Sequence, residues 1–409
     1  MIGLCDCNSF YASCELLFRP DLKGKGILVL SNNDGIVVAL NQRAKDLGFK
    51  RGDAKFNIEK EAEAKDCIFF SSNYSLYANI SSRVISKLSE LTYEVDPYSI
   101  DEAFFQADSD IDAVNLRATI VKHVGIPVSV GIARTKTLAK IANHIGKKLT
   151  EGAFVLTEDE EKEVLRATHI RDVWGIGRKT AAKLEKRGIT TAYAFSLLDD
   201  MWIKNNFNIT LLRTQQELRG INAVVDGESD KSFCSGISFK EPITSFNELY
   251  SALCAQAQIL SLKLESKDLI AKTFIISIFN SRFKEGFYAP FETIDFEEQT
   301  NYLPKIITAV KRALQRIYIP TEYKGCRIFA CNLAQKGTIQ YSLFDTEQDI
   351  INYGKNDKLN EAVNEISRKY GRSLIVPASM LGVDKTNLCK REMKSPSYTT
   401  KFEELPEIN

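Results

Sequence analysis

Three acids in this sequence sit where apolar runs make a carboxylate costly. Asp6 lies near the end of IGLCDC at residues 2–7, and Asp101 and Glu102 interrupt YSIDEAFF at 98–105. Neighbours on a regular strand point to opposite faces. Asp101 and Glu102 therefore share a site only if the chain bends at them; otherwise one faces solvent. An unpaired buried carboxylate costs several kcal/mol, so a partner is needed, and Asp6 is the candidate. Three carboxylates brought together repel, by roughly 4 kcal/mol per pair at about 4 Å and an effective dielectric of about 20. A hard divalent cation relieves this repulsion, and all-oxygen ligands select Mg²⁺ or Mn²⁺ over zinc. Two such ions suit phosphoryl transfer, activating the attacking oxygen and stabilising the leaving one. The alternative is a solvated hairpin turn at Asp101–Glu102 with Asp6 as a helix cap. Spacing alone leaves both readings open.

The elements that must carry these acids alternate between strand and helix. Residues 2–7 read as a buried strand, and 8–17 as a helix capped by Asn8 or Ser9. A strand at 27–31, the turn NNDG at 32–35 and a strand IVVAL follow, then a helix over NQRAKDLG closed by Gly48. Leu76, Ile80, Val84, Ile85 and Leu88 keep helical spacing over 74–91. YEVDPYSIDEAFFQA and PVSVGIA read as strands around a helix near 110–124. The helix over 135–149 has Leu138, Ile141, Ala142 and Ile145 on one face, with Lys136, Lys140, Lys147 and Lys148 off that stripe. A basic helical region is expected over about 160–225. A second sheet-and-helix unit is expected over 232–335, with helices at 247–265 and 301–316. The polar tail from about 340 carries Pro377, Pro396 and Pro406, and is expected to hold one helix (358–370) and to be partly disordered. The pattern predicts an α+β multidomain chain.

Composition excludes several classes. The 409 residues carry 26% charged side chains but a net charge of only +1, so any nucleic-acid signal must be local. No apolar run reaches the roughly 18 residues of a membrane span. The opening MIGLCDCNSF lacks the pattern of a signal peptide, so a cytoplasmic location is expected. Nine scattered cysteines without CxxC spacing argue for a reduced compartment and against a zinc site or disulfide framework. His123, His144 and His169 are too far apart in sequence to suggest a His-rich metal site.

Four stretches carry a resemblance: CDCNSFYASCE at 5–15, LSNNDGIVVALNQRAKDLG at 30–48, YSIDEAF at 98–104 and SVGIARTKTLAKIAN at 129–143. They resemble the Y-family translesion DNA polymerases. NNDG and the C-terminal MKSPSYTT at 393–400 resemble the UmuC branch. The resemblance implies a right-hand polymerase with a ferredoxin-like palm at 1–19 and 72–160 and small fingers at 20–71. A helix–hairpin–helix thumb would span 161–231, an α+β little finger 232–336, and a C-terminal tail 337–409. It implies that Asp6, Asp101 and Glu102 are catalytic and bind two Mg²⁺, or Mn²⁺ in their place, with the Cys7 backbone carbonyl as a further ligand. Tyr11 matches the steric gate against a 2′-hydroxyl. Lys45 and Lys147 match residues that hold the incoming triphosphate, and Gln42 stands where many relatives carry a Tyr. A lone Tyr in the core or a solvated Lys is the plainer alternative for each. The reaction implied is attack of a primer 3′-hydroxyl on the α-phosphate of a deoxynucleotide, with loss of pyrophosphate. The short fingers imply low fidelity. The implied partners are primed DNA template, dNTP, the sliding clamp, a cleaved UmuD-like dimer and a RecA filament, in the bacterial cytoplasm at the nucleoid.

VWGIGRKTAAKLEKRGI at 173–189 has its own physical logic. Gly175 and Gly177 allow a tight hairpin that exposes backbone N–H groups at a helix start, where anions bind. Arg178, Lys179 and Lys183 add positive charge. This helix–hairpin–helix pattern binds duplex backbones without reading sequence; a surface-charged helical hairpin is the alternative. Lys240, Arg282, Lys284, Lys311, Arg312 and Arg316 are further candidates for phosphate contact. QYSLF at 340–344 resembles a clamp-binding peptide, with Gln340, Leu343 and Phe344 as its anchors. Two rivals remain: another metal enzyme such as a nuclease or nucleotidyl cyclase, and a catalytically idle scaffold that binds DNA and clamp.

Overall fold

The computed structural model describes residues 1–108, 111–224, 231–283, 285–337, 347–370, 374–381 and 391–405. It divides into two compact units, Met1–Asp226 with Glu392–Asn409, and Gly227–Arg391.

In the first unit, β1 (Ile2–Cys7) leads through α1 (Phe10–Leu17) into a small sheet of β2 (Gly26–Leu30), β3 (Val37–Leu40) and β4 (Cys67–Ser71), ordered β3-β2-β4. Helices α2 (Gln42–Asp46) and α3 (Lys55–Ala64) join β3 to β4. The long α4 (Tyr74–Leu91) returns to the main sheet. There follow β5 (Tyr93–Pro97), β6 (Glu102–Gln106), α5 (Ala113–Val124), β7 (Val128–Ala133), α6 (Lys136–Gly146) and β8 (Ala153–Val155). The order is β5-β6-β1-β7-β8, with β1 central and antiparallel to both neighbours.

Strand alternation sorts this sheet into two cores. Cys5, Cys7, Ala103 and Phe105 pack with α1, α4 and α5. Leu4, Phe104 and Ala133 pack on the other face with α6 and the helices that follow. Those are α7 (Glu158–Ala167), α8 (Arg178–Glu185), α9 (Ala192–Ser196), α10 (Asp200–Asn206) and α11 (Ile209–Leu218).

Helix α6 lies very close to the sheet. A Cβ on Gly131 of β7 would fall 2.1 Å from Asn143 N, so only glycine permits the approach. Asn143 Nδ2 donates to Ser129 O at 2.8 Å, locking the helix to β7. At its start, the buried Glu217 of α11 accepts from Thr137 N at 2.9 Å. A carboxylate there also favours the helix dipole.

The expected first helix starts later than its sequence suggests. Ser9 occupies the position before α1, but its backbone is left-handed (φ 49°, ψ 43°) and its side chain caps nothing. Asn8, the other candidate, accepts through Oδ1 from Ser129 Oγ at 2.9 Å. The tight turn after β1 thus engages both side chains elsewhere.

The second unit holds an α+β body and also takes in α14 (Glu347–Tyr370), which the sequence reading placed in a separate tail. The elements of the body are β9 (Ser232–Ile243), α12 (Phe246–Glu265), β10 (Leu269–Phe279), β11 (Phe291–Thr300), α13 (Leu303–Ile317) and β12 (Tyr323–Gln335). The antiparallel sheet runs β11-β10-β12-β9. Leu253 and Leu260 of α12 and Val310 and Leu314 of α13 cover Phe274, Ile276 and Ile328.

The tail departs from its reading. Helix α14 (Glu347–Tyr370) begins well before residue 358. Residues 392–405 belong to the first unit. Ser71 N donates to Met393 O at 2.9 Å, and Met393 N donates to Ser71 Oγ at 3.0 Å. Tyr398 is buried and stacks on Phe18, with ring centroids 4.7 Å apart. Polar, proline-bearing composition argues against a helix here, but not against an extended segment that docks on another element.

Candidate active site

Asp6 and Glu102 are directly opposed in the β1–β6 register. Both project to the face that α6 covers. From α6 and the residue that ends it, Lys140 Nζ reaches Glu102 Oε2 at 2.9 Å and Lys147 Nζ reaches Asp6 Oδ1 at 2.8 Å. Seven residues make two helical turns, so both ammonium groups emerge on one side. Lys140 also stands over the rings of Tyr98 (4.6 Å), Trp174 (5.1 Å) and Phe104 (5.7 Å). Burial pushes the Asp6 carboxyl up to about 6; Lys147 opposes that shift, and Glu102 adds to it.

Asp101 lies in the turn before β6. Its carbonyl accepts from Cys7 N at 2.8 Å, and its carboxylate accepts from Ser99 Oγ at 2.6 Å. The bend between the two adjacent acids is present, but it sends their charges different ways. Glu102 acts on Asp6, while Asp101 acts on Cys7 and Tyr11. Among the described residues, no three His, Cys, Asp or Glu side chains are grouped to hold a metal. Asp6 and Glu102 lie together, while the Asp101 carboxylate is turned to Ser99. As a donor set, the three carboxylates and the Cys7 backbone carbonyl offer oxygen only, which fits Mg²⁺ or Mn²⁺. The Cys7 thiol belongs to the opposite core, where burial raises its pKa well above the usual value.

Tyr11, on α1, stacks on Tyr77 with centroids 4.3 Å apart and planes 13° apart, and meets Tyr74 edge-on at 5.9 Å. Burial raises its pKa, as do Tyr74 and Asp101, and the positive charge of Arg51 opposes the shift. Lys45 Nζ donates to Ser9 Oγ at 3.4 Å, which sets it beside the β1–α1 turn. Gln42 Nε2 donates to Asp46 Oδ1 at 2.7 Å, so the amide is engaged within its own helix. The structure therefore brings Asp6, Glu102 and Lys147 together, with Lys140 added. Sequence reasoning placed Lys140 only off the apolar stripe; its seven-residue spacing from Lys147 was the available signal. Arg51 gave none.

Gly175 has φ +84°, and a Cβ there would fall 2.8 Å from Thr214 Oγ1. Gly177 precedes α8 and leaves its first turn without a side-chain cap. Arg178, Lys179 and Lys183 are exposed. In the second unit, Arg316 is paired with Glu292 at 2.7 Å, Lys311 lies over Tyr250 and Arg282 over Phe287. Lys240 and Arg312 are exposed. Lys284 and the peptide anchors Gln340, Leu343 and Phe344 lie outside the described residues. No helix among the described residues is long and apolar enough to cross a membrane.

The sequence matches the impB/mucB/samB family over residues 5–144 and the C-terminal domain of that family over 230–343. The IMS family HHH motif matches 158–189, and a domain of unknown function matches 357–408. Protein UmuC of Salmonella typhimurium is 35% identical over 99% of this chain and 99% of its own length. DNA polymerase IV of Desulfatibacillum aliphaticivorans is 27% identical over 94% of this chain and 98% of its own. Among solved structures, a Y-family DNA polymerase chimera of Dbh and Dpo4 superposes with a TM-score of 0.67, covering 82% of this chain and all of that one at 18% identity. The central strand with its acids, the paired lysines and the end-to-end match to UmuC lead to one assignment: this chain belongs to the UmuC branch of the Y-family DNA polymerases.

Proposed function

We propose that this DNA polymerase carries out template-directed, low-fidelity translesion synthesis, serving damage-induced (SOS) mutagenesis. The observation that carries the reading is the cross-strand pair Asp6–Glu102, met by Lys147 and Lys140, with Asp101 in the adjoining turn and the Tyr11 ring next to it. Lys147 and Lys45 hold the triphosphate of the incoming nucleotide as point charges. Tyr11 lies against the sugar and excludes a 2′-hydroxyl. Asp6, Asp101, Glu102 and the Cys7 carbonyl would hold two Mg²⁺ ions, or Mn²⁺ in their place, which supply an activated attacking oxygen and charge neutralisation when bound. The primer 3′-oxygen bonds to the α-phosphorus as the bond to pyrophosphate breaks, and the protein contributes mostly positioning and electrostatics.

The exposed basic residues of α8 and the N–H groups after Gly177 grip duplex backbone. The peptide Gln340–Phe344 engages the sliding clamp, and a cleaved UmuD-like dimer and a RecA filament complete the assembly at the bacterial nucleoid. Primer extension past an abasic site tests the reading, with Mg²⁺, four deoxynucleotides and the clamp, and with cleaved UmuD and RecA where they are needed. Extension by the natural chain and none by Asp101→Ala supports it. Extension by neither in the full assembly turns the assignment to an idle scaffold.

A further inference from the structure

The tail docks beside the Tyr11 stack. Glu15 sits one helical turn beyond Tyr11 on α1 and is fully buried. Its Oε1 accepts from Tyr77 OH at 2.6 Å, and Tyr77 is the ring on which Tyr11 stacks. Glu15 therefore fixes the floor under Tyr11.

A fully buried carboxylate needs compensation; the Tyr77 hydroxyl supplies it at Oε1, while Oε2, also buried, has no hydrogen-bond partner among the described residues. The Ser395 hydroxyl lies beside Glu15 and the Lys394 charge acts on it; with the Tyr77 hydroxyl, they oppose the upward push of burial on the Glu15 carboxyl. Ser395 is itself buried and held: Asn73 Nδ2 donates to Ser395 Oγ at 2.9 Å, and Asn73 O accepts from Tyr77 N at 3.1 Å. The segment is anchored on both sides. Lys394 bridges in parallel to Ser71 at the free edge of β4, and Tyr398 stacks on Phe18.

We infer that residues 393–398 are a positioning element of the nucleotide-sugar site: through Glu15 and Tyr77 they set the Tyr11 ring and so sharpen discrimination against ribonucleotides. This rests on the reading of Tyr11 as the gate. It also gives the end of the segment matching the domain of unknown function a task inside the polymerase.

The test is the ratio of kcat/KM for a deoxynucleotide to that for the matching ribonucleotide, measured in the full chain with its partners. Lys394→Met with Ser395→Ala is expected to lower the ratio about tenfold, mainly through the ribonucleotide. Ser395→Thr, which keeps the hydroxyl, is expected to preserve it. Lys394 is exposed, so Lys394→Met alone leaves folding intact and should lower the ratio about threefold. An unchanged ratio in both tail variants, with Tyr11→Ala lowering it, overturns the inference and spares the gate. An unchanged ratio in Tyr11→Ala overturns the gate reading and this inference with it.

Discussion

Lys147 Nζ rests 2.8 Å from Asp6 Oδ1. The lysine proposed to hold a substrate phosphate thus already neutralises an acid proposed to hold a metal. The two substitutions at these lysines should therefore separate. Lys147→Met is expected to raise KM for the incoming nucleotide about tenfold, the equivalent of about 1.4 kcal/mol, with a smaller change in kcat. Lys140→Met, which frees Glu102 and takes the cation from the cluster of Tyr98, Phe104 and Trp174, should act mainly on kcat. Steady-state kinetics with one nucleotide varied distinguishes them.

Acid titration offers a second check. Burial raises the Asp6 carboxyl from 3.8 to about 6 in the folded chain. A carboxyl with a raised folded pKa binds its proton more tightly when folded. Its contribution to stability is thus complete below about pH 4 and lost as pH rises through about 6. The melting temperature of the metal-free natural chain, relative to Asp6→Asn, is expected to fall between about pH 4 and about pH 7. A rising difference would contradict the burial account.

Gly131 bears on the helix rather than the acids. An added Cβ would fall 2.1 Å from Asn143 N and 2.5 Å from Ala139 O, both backbone. Gly131→Ala must move α6 off the sheet, at a cost of about 1–3 kcal/mol or more. Lys140 and Lys147 move with it. Extension activity should drop further than the loss of folded protein explains, as thermal melts read beside primer extension would reveal.

The basic helix is testable through salt. Arg178→Ala with Lys179→Ala should weaken duplex binding equally for all sequences and reduce the log–log salt slope by about 2, at about 0.9 per phosphate contact. A slope equal to that of the natural chain would place these residues off the DNA.

Much of this was legible in the sequence where periodicity was strong. Leu76, Ile80, Val84 and Leu88 mark α4, and all four are buried. Helix α3 (KFNIEKEAEA) escaped because only Ala62 is buried, so there is no apolar stripe to read. Strand β8 has three residues, too few for any pattern. The acids were found from their odd placement in apolar runs, but which of them share a face depends on the β1–β6 register, a pairing between segments about a hundred residues apart. The docking of Tyr398 and Ser395 has the same character: each is an ordinary tail residue until α1 and α4 supply its partner.

The chain leaves the first unit after Asp226 and re-enters it at Glu392. The second unit is therefore an insertion held by two covalent junctions rather than an appendage held by one. A single proteolytic nick between the units at either junction leaves it attached through the other, and a nick near residue 226 still leaves residues 392–405 docked on β4 and Phe18. Such a nicked polymerase should run as one particle on a sizing column and separate only in denaturant. Grafting the insertion from a relative would require both junctions to be matched at once.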